Sequence, residues 1–368
     1  MSKIGKIDKF FLGIVITLLG FGFFSFVSAS LGVLARSGED KFWGIIISQS
    51  LGLVLGALFM WLFSRIDYKF WRRNAFYLFL FAIGLTLLVF IPSLSFEHGG
   101  ARRWITLGPI SFQPVEILKI AFIIYFAGWL SWVKAKAKQV KFGILPLVAM
   151  LLVVAAILLQ QPDTKSIILI FIASASMLIL SGVPWRYIFI AIGIGALMFG
   201  VLAISKPYLF KRVTTFLNPS SDLQGSSFQL QQSLIGIGSG GIFGRGLGQS
   251  LQKFTYLPEP QGDSIFAVVG EEFGFIGTTI VVVLFLIFGL RGMRIAYRAP
   301  DSFGRLMVAG LVILLLAQSF LNIASIIGLF PLTGVPLVFI SHGGTSLMIA
   351  MATVGIILNV SRYQLQNR

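Results

Sequence analysis

Long apolar runs without a single charged residue are the feature that most constrains this chain. Six such runs hold 19 to 26 residues each, and a helix needs about 20 apolar residues to cross a bilayer with its backbone polar groups satisfied. Only 11% of the 368 residues are charged, against roughly a quarter in a soluble domain. The sequence therefore predicts a multi-pass membrane protein. The six runs are Phe10–Ala35, Phe42–Ser64, Asn74–Phe96, Phe142–Pro162, Ser166–Trp185 and Tyr187–Ser205.

Four further spans complete the prediction. Two of them, Phe112–Val133 and Ser264–Leu290, contain charged residues. The last apolar run, Leu306–Ser361, has 56 residues and would be about 84 Å long as one helix, so it must fold back into two spans. The expected fold is an all-α integral membrane protein with ten transmembrane helices, forming one domain over residues 1–368. The expected turn in the last run lies among the turn-forming residues Pro331, Gly334, Pro336, Gly343 and Gly344.

The distribution of basic residues gives the orientation. The chain has 29 Lys and Arg and 13 Asp and Glu, a net charge of +16. With both termini in the cytoplasm, 18 of the 29 basic residues fall on the inner side, as expected for cytoplasmic loops. Because these residues flank successive helices, the basic excess reflects topology, and we expect no nucleic-acid partner. The first apolar run is too long for a signal peptide, whose core has about 7–15 residues, and is expected to remain as the first span.

One long outer loop, residues 206–262, is expected between the seventh and eighth helices. Loops longer than about 12–15 residues are usually functional or disordered. Apolar residues in Phe210–Leu217 and Phe228–Ile237 predict short helices lying on the membrane surface. The run Gly236–Gly241 matches G-x-G-x-x-G, but it follows no strand of a nucleotide-binding unit, so its glycines indicate tight turns and close backbone approach.

The absence of cysteine limits the available chemistry. Without cysteine, disulfides, thiol nucleophiles, zinc-thiolate sites and iron–sulfur clusters are excluded, and the two histidines make a histidine-built metal site improbable. Chemistry must use carboxylates, hydroxyls and basic side chains. Ionisable residues inside a span are expensive and point to function.

Two pairs of ionisable residues lie within predicted spans. Glu116 and Lys119 stand three residues apart, hence on one helix face, and they either fix helix packing as a neutral pair or serve the site. The same two interpretations apply to Glu271 and Glu272. All four lie in the outer half of their spans, whereas a carrier would need polar groups at the midplane and in the inner half.

Asp263 directly precedes the eighth predicted helix, where it is expected as an N-cap, a role that is compatible with that of a reactive carboxylate. Pro258 and Pro260 stiffen the segment that leads to it, on either side of Glu259. The opposite wall is expected to be basic, built from Arg102, Arg103 and Lys119. This combination favours a reactive role for Asp263.

Motifs spread over almost the whole chain resemble the SEDS family (shape, elongation, division and sporulation), the polytopic peptidoglycan glycosyltransferases. The resemblance implies polymerisation of lipid II into glycan strands at the outer face of the bacterial cytoplasmic membrane, with Asp263 essential. The segment Gly248–Lys253 resembles the division branch more than the elongation branch. The motifs are Arg102–Ile105, Gln113–Lys119, Gln161–Asp163, Phe216–Pro219, Gln231–Leu234, Tyr256–Ala267, Gly270–Glu272, Gly334–Leu337 and Ser341–Gly344.

The resemblance also implies partners and substrate-binding residues. The expected partners are lipid II, a class B penicillin-binding protein that crosslinks the new strands, and other division proteins. Besides Asp263, the carried-over site comprises Arg102, Arg103, Glu116, Lys119, Glu259, Ser341 and His342. The chain departs from the family pattern at Gly262, at Val338, at His342 and in Thr164-Lys165-Ser166 after the Gln-Pro-Asp motif.

The implied reaction is an inverting glycosyl transfer. Asp263 would accept the proton of the attacking 4-hydroxyl, and Arg102, Arg103 and Lys119 would stabilise the departing diphosphate. The reaction requires no nucleotide or redox cofactor. It is compatible with a divalent cation that bridges the diphosphate and the carboxylate. Two alternatives stay open, a flippase for the lipid-linked precursor and a non-enzymatic scaffold of the division apparatus.

Overall fold

A computed structural model describes residues 5–98, 101–107, 110–187, 189–190, 193, 195, 200, 207–218 and 226–364. Within this part of the chain, seven helices are long and apolar enough to cross a membrane, and two shorter apolar helices accompany them. The chain is therefore a multi-pass membrane protein. The seven are α1 (Lys9–Ser37), α2 (Glu39–Arg65), α3 (Tyr68–Leu87), α4 (Pro114–Val133), α10 (Ile265–Tyr297), α11 (Ser302–Ile326) and α12 (Gly344–Ser361), and the shorter two are α5 (Ile144–Leu158) and α6 (Thr164–Leu180).

Three further helices belong to the long loop before α10: α7 (Pro207–Leu217), α8 (Ser226–Ser239) and the single turn α9 (Gln252–Thr255). The first two coincide with the short helices predicted there. The predicted seventh span, 187–205, lies mostly outside the described residues. The last apolar run folds back as expected, since α11 ends at Ile326 and α12 begins at Gly344.

A small antiparallel sheet lies between α3 and α4, where the all-α prediction is wrong. Helix α3 ends at Leu87, and after a short 3-10 turn the chain forms β1 (Ser95–His98), β2 (Ala101–Leu107) and β3 (Ile110–Phe112) in the order β1-β2-β3. The sequence holds a signal for these hairpins, because Gly-Gly and Gly-Pro pairs interrupt β-branched and aromatic residues. The strands are short and contain no long charge-free run, so they cannot be recognised from apolar runs.

The helices pack through close contacts of small residues. Gly52 of α2 lies against Gly344 of α12, and Met60 lies against Gly355 about two to three turns further along both helices. The two helices therefore run parallel, and glycine contacts of this kind let membrane helices approach closely. Helix α10 is antiparallel to α1 and to α11, as the order of the residue pairs in contact shows.

Both ends of the described chain meet at one end of the bundle. The Gly5 amide donates to the Arg362 carbonyl at 2.8 Å, and Arg291 pairs with Asp8 at 2.8 Å. Arg72 lies 3.7 Å from Asp301 at the same end. The predicted site residues lie at the opposite end.

Helix α10 is broken at Gly274, which has φ 66° and ψ −162°. Phe285 contacts Phe320, with ring centroids 6.5 Å apart, and a continuous helix would place Asp263 about 33 Å from Phe285 along the axis. Instead, the Asn322 side-chain amide, two residues beyond Phe320, donates to the Asp263 carbonyl at 2.7 Å. The first segment of α10 therefore folds back towards α11, and the expectation of one continuous span is corrected.

The glycine-rich run after α8 fills this break. The Phe275 amide donates to the Gly241 carbonyl at 2.9 Å, and the Arg245 amide donates to the Glu271 carbonyl at 2.9 Å. Backbone groups freed inside a membrane helix must find other partners, and the loop supplies them. The predicted close backbone approach is confirmed at Gly240, where a Cβ would collide with the Gly270 carbonyl, and Gly244, beyond the predicted run, makes a similar approach to the Glu272 carbonyl.

Candidate active site

Asp263 lies at the end of the Pro258–Gly262 segment, immediately before α10. Its carboxylate accepts a hydrogen bond from the Gln229 amide at 3.2 Å, and the same amide donates to Ser264 Oγ at 2.9 Å. Ser264 is the N-cap residue of α10, and no side-chain capping bond is made there. The N-cap interpretation of Asp263 is therefore wrong, and its partly exposed carboxylate is available for other chemistry.

The surroundings of Asp263 favour its proton-bound form more than water does. Burial raises the pKa of the Asp263 carboxyl above its ordinary value of 3.8, and the charge of Glu259 raises it further. The charge of Lys165 and the hydrogen bond from Gln229 oppose this rise. A carboxylate with a raised pKa is a stronger base, so this site suits proton abstraction from a hydroxyl.

Four consecutive carbonyls of the loop between α11 and α12 are held by side chains. Thr333 accepts from Arg212 at 3.1 Å and Gly334 accepts from Lys165 at 2.6 Å. Val335 accepts from Asn322 at 2.7 Å. Gln318 donates to the fourth carbonyl, that of Pro336, at 3.4 Å. These contacts join α6, α7 and α11 to one loop segment, which we call the 333–336 strap, and they place it beside Asp263.

Glu116 and Lys119 form the predicted pair. Lys119 Nζ lies 2.9 Å from Glu116 Oε1, and it also donates to Gln318 Oε1 at 2.9 Å. Lys119 is buried, so its charge is compensated inside the bundle. Because Gln318 also reaches the strap, the pair is one contact away from the segment that borders Asp263.

The two arginines of β2 lie apart from this pair. Arg102 is exposed, whereas Arg103 donates to the Gln161 carbonyl at 2.9 Å and to the Pro162 carbonyl at 2.5 Å. Asp163, the next residue, caps α6 by accepting from the Ser166 amide at 3.4 Å, and it also accepts from Ser166 Oγ at 2.9 Å. Arg103 therefore fixes the turn that leads into α6, and Lys165 lies in the first turn of that helix.

Ser341, His342 and Glu259 hold the loops around Asp263. Ser341 Oγ accepts from the Leu337 amide at 2.8 Å, and the His342 amide donates to the Gln261 carbonyl at 2.7 Å. The His342 ring stacks on Phe26 at 5.7 Å, and burial lowers its pKa to about 4, so the imidazole is neutral near pH 7. Glu259 is exposed, with its carboxylate 3.2 Å from the Gln261 amide.

Glu271 and Glu272 anchor the segment before Asp263. Glu272 binds Lys253 Nζ at 2.6 Å and accepts from Ser28 Oγ at 2.6 Å, all three being buried. Glu271 accepts from Ser250 Oγ at 2.6 Å. These contacts favour a role of Glu271 and Glu272 in fixing helix packing over a direct role in the site.

Four residues of the site were missed by the sequence analysis: Lys165, Arg212, Gln229 and Asn322. A signal existed for Asn322, because Gln318 and Asn322 stand four apart in an otherwise apolar helix and so share one face. Lys165 was noticed only as a departure from a family motif. Among the described residues, no three His, Asp or Glu side chains are grouped so that they could hold a metal ion.

Comparison with known proteins places this geometry in context. Residues 9–366 match the FtsW/RodA/SpoVE family, described as cell cycle protein. The chain is 38% identical over 364 residues to stage V sporulation protein E of Bacillus subtilis, covering 97% of each chain. It is 39% identical over 363 residues to a probable peptidoglycan glycosyltransferase FtsW of Geobacter sp. (strain M18), covering 98% of each.

Two solved structures share the fold. One comes from a peptidoglycan synthase complex described as coordinating polymerisation and crosslinking, with a TM-score of 0.80, 26% identity and coverage of 98% of this chain and 99% of that one. The other is the rod shape determining protein RodA of Thermus thermophilus, with a TM-score of 0.70, 24% identity and 98% coverage of both chains. At 24% identity, the second likeness concerns the fold.

Proposed function

Since the chain belongs to the FtsW/RodA/SpoVE family of cell cycle proteins, we propose that it is a peptidoglycan glycosyltransferase that polymerises lipid II during cell division. The observation that carries this proposal is the Asp263 carboxylate, which is partly exposed, has a raised pKa and borders two cationic side chains at the strap. A carboxylate base next to cations is the arrangement that transfer of a sugar from a diphosphate requires.

The proposed reaction is a single displacement. The 4-hydroxyl oxygen of the acceptor sugar attacks the anomeric carbon of the donor while the bond from that carbon to the diphosphate breaks. The hydroxyl proton passes to Asp263, and the diphosphate leaves with the bonding electron pair. One displacement inverts the anomeric centre, which turns an α-linked donor into a β-linked product. Arg102, Arg103 and Lys119 remain candidates for contacts with the substrates, as do Glu116, Glu259, Ser341 and His342.

We propose ten membrane crossings. Lys165 at the start of α6 contacts the loop after α11, and Met177 lies against Gly310 in the middle of α11, so α6 and α11 are antiparallel. Helix α10 is also antiparallel to α11. Helices α6 and α10 therefore run in the same direction, and the chain between them must cross an odd number of times. The apolar run of sufficient length there is 187–205, which would add one crossing to the nine described apolar helices.

The orientation is proposed from the charges. The described ends of the chain meet at one end of the bundle, as an even number of crossings requires, and this end carries the basic loops that favour the cytoplasm. Asp263 then lies at the outer face of the bacterial cytoplasmic membrane, where new glycan strands are needed. Five charged residues of the described part of the chain are almost fully buried, and all five lie at the Asp263 end, which favours a polymerase over a lipid II flippase. They are Lys119, Asp163, Lys253, Glu271 and Glu272.

The proposed partner is a class B penicillin-binding protein that crosslinks the strands. The likeness to a chain of a complex described as coordinating polymerisation and crosslinking supports this partner. Other division proteins are proposed to recruit the pair. The reaction needs no nucleotide or redox cofactor, and a divalent cation between the diphosphate and Asp263 stays a prediction.

The test is polymerisation of labelled lipid II by the purified protein, with and without a class B partner. We expect glycan strands from the wild-type protein and none from Asp263→Asn, with both proteins eluting as folded monodisperse species. Translocation of labelled lipid II across liposomes without polymer formation would instead favour the flippase. Polymerisation by a folded Asp263→Asn protein at the wild-type rate would remove Asp263 from the mechanism.

A further inference from the structure

We propose that Lys165 and Arg212 form the subsite that binds the diphosphate of the glycosyl donor, on the strap beside Asp263. This inference rests on the proposed glycosyltransferase function. It assigns the leaving-group contacts to two residues from α6 and α7, whereas the sequence had pointed to the arginines of β2 and to Lys119.

The geometry around Gly334 carries the proposal. Gly334 has a φ of 63°, and a Cβ at this position would make ordinary van der Waals contacts. This Cβ would lie 3.5 Å from Asp263 Oδ2 and 4.0 Å from Arg212 Nη2, while Lys165 binds the carbonyl of the same glycine at 2.6 Å. A carboxylate and two cations are therefore grouped around one glycine. In a single displacement the attacking and leaving oxygens lie on opposite faces of one carbon, so the base and the leaving-group cations must belong to one site.

Two of the three cations that the sequence indicated already bind protein groups. Arg103 donates to two carbonyls of the turn before α6, and Lys119 is paired with Glu116. Lys165 lies among the charges of Asp163, Arg103, Glu116 and Asp263, yet it forms no ion pair with a described carboxylate. Its ammonium group has three N–H donors, and Gly334 takes one of them. The remaining donors can bind phosphate oxygens.

The positive charge of Lys165 is expected to contribute measurably to the rate of the reaction. As the bond to the diphosphate breaks, negative charge grows on the leaving oxygens, and a fixed cation stabilises this charge more in the transition state than in the ground state. Loss of one such contact typically lowers kcat by about 10²-fold or more. We expect Lys165→Gln to show a loss of this order, because glutamine can still donate to the Gly334 carbonyl but carries no charge.

The experiment compares Lys165→Gln, Lys165→Arg and Lys41→Met in lipid II polymerisation. Lys165→Arg should retain at least a tenth of the wild-type rate, and Lys41→Met, which removes an exposed cation at the same end of the molecule, should match the wild type. Melting temperature in detergent is measured for each protein. A folded Lys165→Gln protein with wild-type kcat would overturn the proposal.

A binding measurement separates this subsite from the enzymatic function. Inorganic diphosphate binding is measured by calorimetry on the wild-type, Lys165→Gln and Arg212→Gln proteins, with phosphatidylglycerol added to mixed micelles as a competing lipid phosphate. We expect each glutamine variant to weaken diphosphate binding at least tenfold and phosphatidylglycerol not to compete. If the wild-type protein makes no glycan but diphosphate binding depends on both residues, the subsite is supported and the glycosyltransferase function fails. Equal binding by all three proteins, or equal competition by phosphatidylglycerol, refutes the subsite.

Discussion

Replacing Gly274 by alanine tests whether the break in α10 builds the site. Its φ of 66° and ψ of −162° belong to a region that is essentially restricted to glycine, and a side chain there costs about 1–3 kcal/mol. A Cβ would also lie 2.5 Å from the Ile242 carbonyl oxygen. The glycine-rich loop would therefore have to move away from α10.

Movement of this loop removes hydrogen bonds that the break requires. The amides of Phe275 and Ile276 donate to loop carbonyls at 2.9 and 3.2 Å, and the amides of Arg245 and Gly246 donate to carbonyls of α10 at 2.9 and 3.0 Å. Each is worth about 1 kcal/mol net. Loss of all four bonds together with the strain should lower the free energy of unfolding of Gly274→Ala by about 5–7 kcal/mol.

The assay combines unfolding in mixed detergent micelles with lipid II polymerisation. Gly292→Ala is the matched control, because its Cβ would lie 2.6 Å from Val312 in the second half of the same helix and should cost about 1–3 kcal/mol by overpacking without moving Asp263. Gly20→Ala, with no neighbour within 4 Å, should be slightly stabilising. We expect Gly274→Ala to lose polymerisation at temperatures where it and Gly292→Ala are both folded. Wild-type stability and wild-type turnover in Gly274→Ala would refute the role assigned to the break.

Three further predictions concern buried and titrating charges. Burial raises the pKa of Asp263, and a general base must be unprotonated to act. We therefore expect kcat/KM to fall as the pH drops through a value above 3.8. A pH–rate profile whose acid limb lies at or below pH 3.8 would contradict this prediction. Glu116→Gln and Lys119→Met should each lower the free energy of unfolding by about 3 kcal/mol, because each change leaves one buried charge unpaired. The double variant should lose less. Additive losses in unfolding experiments would disprove the coupling. Lys253→Met should cost about 3–5 kcal/mol, and adding Glu272→Gln should restore most of it. No recovery in melting temperature would show that this pair is not coupled.

Much of this protein follows from the pattern of its sequence. The apolar runs predicted the helices α1 to α6 and α10 to α12 because the hydrocarbon core sets a minimum length and forbids unpaired backbone. Spacing alone also predicted the pair of Glu116 and Lys119, since residues three apart share a helix face. The sheet between α3 and α4 was not predicted, because strands of three to seven residues cannot be recognised from apolar runs of about 20 residues.

The site could be predicted only in part. Asp263 was identified from its motif, but its neighbours Lys165, Arg212 and Asn322 come from positions far away in the chain, and no local pattern links them to it. What joins them is the strap, whose carbonyls lack partners in regular structure and so accept from whatever donors the packed helices present.

The sequence by itself determined that the chain spans a membrane and which end of the bundle is basic, because these depend on local composition and spacing. Only the tertiary structure decided that α10 breaks at Gly274, that its first segment folds back onto α11, and that Lys165 and Arg212 border Asp263. A helix break inside a bundle is stable only when other segments satisfy its free backbone groups. Those segments come from distant parts of the chain, so the break cannot be predicted from the local sequence around Gly274.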